Sequence, residues 1–160
     1  MAKAYVSVGS NIDREKNVAA ALERMKAEVG ELECSRIWET TAVGFEGDAF
    51  YNLVVAFDTA LSPQELAGLL RSMEDELGRD RSGGKFSSRS MDLDLLLYDD
   101  LILDEDGLTL PRPEILEYAF VLCPLAEIAG SIKHPVTGFT FAMIWDQFDP
   151  TSQPMWPVDH

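Results

Sequence analysis

Asp92-Leu93-Asp94 places two carboxylates one residue apart in a run, Met91 to Tyr98, whose apolar residues read as a strand. Side chains alternate between strand faces, so the two acids point the same way with Cα atoms roughly 6.5 Å apart. Such a pair can share one or two divalent ions. Magnesium takes hard oxygen ligands and is commonly held by one or two carboxylates together with substrate phosphates. Asp-x-Asp alone recurs by chance in acidic chains and decides nothing. Just before it, Arg79, Arg81, Lys85 and Arg89 form a cationic island with a single acid, Asp80, in a chain of formal net charge -15. Arginine forks match phosphate oxygens, and cations together with metal ions neutralise the charge that develops in phosphoryl transfer. The pattern predicts a magnesium site that handles the phosphates of a nucleotide brought to it by residues 79 to 89.

Other chemistries fit less well. Cys34 and Cys123 are the only cysteines, too few and too far apart for a disulfide framework or a zinc cluster, and both read as packed core residues. His134 and His160 do not stand at metal-ligand spacing from each other or from a cysteine. The acidic balance argues against nucleic acid and against anionic membrane surfaces, whose binding draws on an excess of Lys and Arg. With no signal-like N-terminus and no apolar run long enough to span a bilayer, the expectation is a soluble, cytoplasmic protein.

The elements that must hold the acids follow from periodicity and punctuation. A chain of 160 residues with 46% hydrophobic residues suits one core. The expectation is one domain over residues 1–148 and a Pro-rich, loosely held tail over 149–160. Ala4 to Val8 reads as a strand ending in a Gly9-Ser10-Asn11 turn, followed by a helix through Val18, Ala21, Leu22 and Met25. Cys34 to Thr41 and Tyr51 to Thr59 read as strands either side of a Gly- and acid-rich loop. Ser62-Pro63-Gln64-Glu65 is an N-cap, a first-turn proline and a capping-box Glu, so a helix starts there and runs to about Leu77. Arg79 to Ser90 reads as a mobile loop, and the strand with the acids follows. A hairpin joins Leu101–Leu103 to Leu108–Leu110, Pro111 and Pro113 lead into a helical stretch, and Phe141 to Gln147 is another short helix. The order strand, helix, strand, strand, helix, strand is α+β and ferredoxin-like. Two helices cover one face of a mainly antiparallel sheet, and the later elements extend this to a three-layer α-β-α sandwich. Phe50, Tyr51 and Phe120 read on composition as core aromatics, whereas Asn52, an amide inside an apolar strand, needs partners.

Four segments in order resemble the 6-hydroxymethyl-7,8-dihydropterin pyrophosphokinase family of the folate pathway. They are Tyr5-Val6-Ser7-Val8-Gly9-Ser10-Asn11, Phe50-Tyr51-Asn52, Arg79 to Arg89 with Met91 to Tyr98, and Phe120-Val121-Leu122-Cys123-Pro124-Leu125. The resemblance spans Tyr5 to about Trp145. It implies transfer of the β,γ-pyrophosphoryl group of ATP to the hydroxymethyl oxygen of a reduced pterin, with release of AMP. Carried onto this chain, Asp92 and Asp94 would hold two magnesium ions, with ATP as co-substrate. Arg79, Arg81, Lys85 and Arg89 would grip the phosphates as their loop closes, with Arg79 and Arg89 counted among the catalytic groups. Glu74, Leu95 and Arg112 would also lie at the nucleotide. Phe50 and Phe120 would sandwich the pterin, and Thr40, Val43 and Asn52 would read its polar edge. ATP and the pterin would be the only partners, with a monomer favoured.

Three positions depart from the family pattern. Arg112 stands between two prolines where a histidine is usual, Tyr118 stands where an arginine is common, and Ser87-Ser88 precedes Arg89. Loss of the arginine removes a charged fork that tyrosine cannot replace. The alternative implied by these changes is a non-catalytic or weakened pterin- or nucleotide-binding relative.

Overall fold

A computed structural model describes residues 1–40, 49–77, 91–105 and 107–158. The first strand, β1 (Ala2–Ser10), leads to α1 (Arg14–Val29), then to β2 (Glu33–Cys34), β3 (Trp38–Thr40) and β4 (Phe50–Thr59). After these come α2 (Pro63–Glu76), β5 (Asp92–Tyr98) and a small hairpin of β6 (Leu103–Glu105) with β7 (Leu108–Leu110). A 3-10 turn at Pro113–Leu116, α3 (Ala119–Ala129), α4 (Phe141–Gln147) and β8 (Met155–Pro157) complete the order.

The main sheet runs β5-β1-β4-β3-β8, with β2 also against β4, and its neighbours pair antiparallel. The expected single strand over Cys34 to Thr41 is divided into β2 and β3, both along β4; counted as one interrupted strand they give the βαββαβ order with β1 and β4 inside the sheet, which is ferredoxin-like, and the fold is α+β. Alternation along the strands makes two cores. Val6 and Val8, Leu53, Val55 and Phe57, and Leu93 and Leu95 meet Val18 and Met25 of α1 and Leu66, Leu70 and Met73 of α2. On the other face Tyr5, Val54, Ala56, Leu96 and Leu97 pack under Val121, Leu122 and Leu125 of α3 and Phe141 of α4. Helices thus cover both faces.

The register of β5 slips once. Tyr5 pairs with Leu97 and Val6 with Leu95, so Leu96 is an extra residue and both it and Leu97 turn to the α3 side. The Leu96 carbonyl accepts the Arg112 backbone N–H at 3.0 Å, which ties the Pro111-Arg112-Pro113 segment to the strand carrying the acids. The capping box of α2 forms as the sequence indicates: Ser62 Oγ accepts from the Glu65 N–H at 3.1 Å and Glu65 Oε1 from the Ser62 N–H at 3.0 Å. Such a cap stabilises a helix by about 1 kcal/mol.

Three expectations need correction. Gly9 and Ser10 belong to β1 and not to a turn, because both continue its pairing, Gly9 with Asn52 and Ser10 with Tyr51. Cys34 is exposed on the short strand β2, and only Cys123 is buried. The C-terminal segment is not loosely held. Met155–Pro157 pairs with β3, Val158 N–H donates to the Ile37 carbonyl at 2.9 Å, and Gln153 receives the Ala119 N–H at 2.8 Å while donating to the Glu117 carbonyl at 3.0 Å.

His134 is 3% exposed, packs edge-on against Phe141, and accepts the N–H groups of Val136 and Thr137 at Nδ1, 3.1 and 3.2 Å away. Burial pushes its imidazole below the ordinary value of 6.5. The unfolded chain therefore binds the proton first as the pH falls. Stability is full above about 6.5 and is lost as pH drops through the lower folded-state value. Thermal melts between pH 7 and 5 should show a fall in Tm for the wild type and a shallower one for His134→Asn, which keeps an acceptor but cannot titrate. Parallel curves for the two proteins would mean that this imidazole does not set the acid limb.

Candidate active site

One end of the sheet is built from short side chains. On the α3 face, Ser7 and Gly9 of β1 lie opposite Asp94 and Asp92 of β5, and Gly9 also lies opposite Asn52 of β4. Small residues here leave the space that Leu96 and Val54 fill further along the same face. The result is a cavity of about 310 Å³ lined by Ser7, Gly9, Thr40, Phe50, Asn52, Asp92 and Asp94 from the sheet. Arg112, Glu114, Tyr118 and Phe120 enclose it from the segment leading into α3 and from that helix's first turn.

The floor is polar and ordered. Asn52 and Thr40 are both buried, and Asn52 Nδ2 donates to Thr40 Oγ1 at 3.0 Å. A Cβ on residue 9 would come within 2.9 Å of Asn52 Oδ1, so the amide owes its position to the glycine. The wall is aromatic: Phe50 stands on β4, and Phe120 on α3 stacks against Tyr118 with ring centroids 5.1 Å apart. The α3 start that presents them is pinned by the Gln153 side chain. A flat heterocycle with donors and acceptors along one edge suits such a chamber.

The rim is charged. Arg112 Nε donates to Glu114 Oε2 at 2.5 Å, and its Nη2 lies 3.6 Å from Asp94 Oδ1. Both side chains of the Arg112–Asp94 pair are more than a third exposed, so solvent screens it and its value is orientation more than stability. Asp92 and Asp94 offer two hard oxygen donors on one face. Among the described residues no group of three or more His, Cys, Asp or Glu could hold a metal ion. The donor pair of Asp92 and Asp94 fits magnesium, which keeps waters and takes substrate phosphates as its other ligands.

A second cavity, of about 390 Å³, lies between α2 and β5. It is lined by Gln64, Gly68, Arg71 and Glu74, by Leu93 and Leu95, and by Gly107 and Leu108 of the hairpin. Glu74 Oε2 accepts the Leu93 N–H at 3.0 Å, which anchors β5 between its two acids. Asp94 and Arg112 line both cavities. Two chambers therefore meet at Asp94 and Arg112.

Of the residues singled out from sequence, Thr40, Phe50, Asn52, Asp92, Asp94, Arg112 and Phe120 share the first cavity, and Glu74 and Leu95 line the second with Asp94 and Arg112. Val43, Arg79, Arg81, Lys85 and Arg89 lie outside the described residues. Tyr51 is buried in the α1-side core, while its neighbour Phe50 is only half-buried. Ser7, Gly9 and Glu114 line the first cavity as well, although the sequence reading assigns none of them to the site. The signal for the first two was available, since the alternation Tyr5, Ser7, Gly9 marks a strand face that turns small and polar.

Residues 5–130 match the family model described as 7,8-dihydro-6-hydroxymethylpterin-pyrophosphokinase. The chain is 41% identical over 138 residues to the 2-amino-4-hydroxy-6-hydroxymethyldihydropteridine pyrophosphokinase of Bacillus subtilis, an alignment covering 84% of this chain and 82% of that protein. It is 38% identical over 141 residues to the Porphyromonas gingivalis enzyme of the same name, covering 84% and 95%. Against the folic acid synthesis protein fol1 of Pneumocystis carinii it is 37% identical over 146 residues, 89% of this chain but 20% of that longer one. The Plasmodium falciparum HPPK-DHPS structure shares the fold, with a TM-score of 0.73 at 14% identity, over 91% of this chain and 41% of that one.

Replacing Gly9 by Ala drives a methyl into the Asn52 amide, an overpacking cost of roughly 1–3 kcal/mol. Tm should fall by about 2–10 °C for a chain of this size, and the Asn52 side-chain amide resonances should shift with loss of the Thr40 bond. An unchanged Tm with unmoved resonances would show that the floor yields freely.

Proposed function

Because the chain belongs to the 7,8-dihydro-6-hydroxymethylpterin-pyrophosphokinase family, we propose that its two cavities hold a reduced hydroxymethylpterin and ATP on either side of Asp94. The observation that carries this reading is the shared wall: Asp94 and Arg112 border both chambers. In the first chamber Phe50 and Phe120 take the faces of the pterin ring, and Asn52 and Thr40 its donor and acceptor edge. In the second, Leu95 and the α2 side chains receive the nucleotide, whose phosphates extend toward Asp92 and Asp94.

The substrate hydroxyl attacks the β-phosphorus in line, the bond from that phosphorus to the α,β-bridging oxygen breaks, AMP leaves with the oxygen, and the hydroxyl proton passes to solvent. No protein nucleophile is required; position and charge are. Asp92 and Asp94 would hold magnesium, two ions in this proposal, which would supply positive charge against the phosphates. Arg112, fixed by its backbone bond to Leu96 and its side-chain bond to Glu114, sets a permanent positive charge at the junction. Arg79, Arg81, Lys85 and Arg89 complete the phosphate grip in this proposal. The working form in this proposal is a monomer. Among the described residues no helix is long and apolar enough to cross a membrane. The reaction is assigned to the cytoplasm, where both small substrates are dissolved.

A second reading, a relative that binds without turnover, draws on Tyr118, which stacks on Phe120 and brings no charge. One assay separates the two. Protein mixed with ATP, magnesium and the reduced pterin should release AMP and form the pterin diphosphate; release of ADP, or binding by calorimetry without products, would reject the transfer. Omission of magnesium should abolish the signal.

Asp94→Ala should lower kcat by at least about 10²–10³-fold, the size of effect seen when one charge-stabilising group is removed. Phe120→Ala should raise the pterin KM by roughly tenfold or more, from lost stacking and lost apolar contact, with the ATP KM held.

A further inference from the structure

Arg14 opens α1, where a positive charge faces the positive end of the helix dipole and gains nothing locally. Its guanidinium instead reaches the sheet. Nη1 lies 2.9 Å from Glu39 Oε1 and 2.9 Å from the Ala49 carbonyl oxygen, and Cζ sits 4.2 Å from the centre of the Tyr51 ring. One cation thus grips the end of β3 and the start of β4 together. Glu39 has a further tie, since its Oε2 accepts from Trp156 Nε1 at 3.0 Å, and these bonds hold its carboxyl below the usual carboxylate range.

The register places this cluster behind the cavity. Glu39 pairs with Tyr51 and Thr40 with Phe50. Since neighbours along a strand face opposite ways, Glu39 and Tyr51 point to α1 while Thr40, Phe50 and Asn52 point into the chamber. β3 has only three residues, paired with β4 on one side and with β8 on the other. So short a strand has few ladder bonds of its own, and side-chain ties must set its place.

We propose that Arg14 is a positioning residue for the flat-ring substrate, fixing from behind the sheet the spacing of Thr40 and Phe50, with Glu39 and Trp156 as its supports. This rests on reading the first cavity as the pterin chamber. Arg14 touches no substrate. The two N–H groups of one nitrogen reach the carboxylate and the carbonyl while the flat guanidinium lies over the ring, a planar contact that a lysine ammonium does not reproduce.

The test is calorimetric binding and steady-state kinetics on the whole chain. Arg14→Ala should weaken pterin binding and raise the pterin KM by about tenfold, while the ATP KM and kcat stay within about twofold, a split that marks lost ground-state positioning. Arg14→Lys should fall between wild type and Arg14→Ala. Glu39→Ala should add little on top of Arg14→Ala, as expected of residues in one network. Pterin affinity unchanged in Arg14→Ala, or equal loss of pterin and ATP binding in step with a lowered Tm, would overturn the proposal. Should Arg14→Ala not fold, Arg14→Lys decides by the same ratio of the two KM values. A wild type that binds ATP but no pterin would reject the pterin chamber itself, and this proposal with it; a wild type that binds pterin while Arg14→Ala binds it equally rejects only the role of Arg14.

Discussion

Gly9 stands between Asn52 on one neighbouring strand and Asp92 on the other, and Ser7 stands opposite Asp94, so the cavity depends on the pairing of β1 with β4 and β5. Nine consecutive pairs join β1 to β4, from Ala2 with Thr59 to Ser10 with Tyr51. A slip of one residue would turn every side chain to the opposite face. Shifted in β4, it would take Leu53 and Val55 out of the core under α1 and α2 and put Asn52 into it; shifted in β5, it would exchange Leu93 and Leu95 for Asp92 and Asp94. The same burial that stabilises the fold therefore sets the site. The extra residue Leu96 is the one irregularity of this register, and it lies where the Arg112 segment attaches.

Electrostatics impose the second condition. The chain carries a net charge of -15, and Asp92, Asp94 and Glu114 all border one cavity. Carboxylates this close repel one another and would repel a phosphate unless cations stand among them. Arg112 does so from within the fold, and magnesium supplies the rest in the function proposed here. Cations are accordingly spent at defined points: Arg112 at the junction of the chambers and Arg14 behind the floor. The C-terminal segment joins this scheme through Trp156 on Glu39 and Gln153 on the start of α3, so residues far apart in the chain hold the two walls of one chamber.

Much of this was legible from residue order. Ser62-Pro63-Gln64-Glu65 marks its helix because a cap is a local interaction, complete within four residues. Asp92 and Asp94 share a face because strand alternation is local as well. The errors have a common cause. Gly9 looked like a turn because glycine favours turns, yet here it is needed for the close approach of the Asn52 amide, which is 43 positions away. The final segment looked like a loose tail because its prolines weaken local structure, yet Pro157 sits on an edge strand, where a missing N–H is tolerated. Cys34 reads as buried by type, but β2 is a two-residue strand and both its residues are exposed.

The sequence by itself determined the order of the main strands and helices short of the last strand, the α+β class, the paired acids and, through four segments, the family to which the chain belongs. Each of these resides in neighbours along the chain or in a pattern that repeats along it. Only the tertiary structure decided that two chambers meet at Asp94 and Arg112, that Gly9 makes room for Asn52, and that Arg14 braces the sheet from behind. Those are contacts between residues tens of positions apart. They exist once the sheet has closed and the helices have packed on both its faces, and nothing in the local order of residues specifies them.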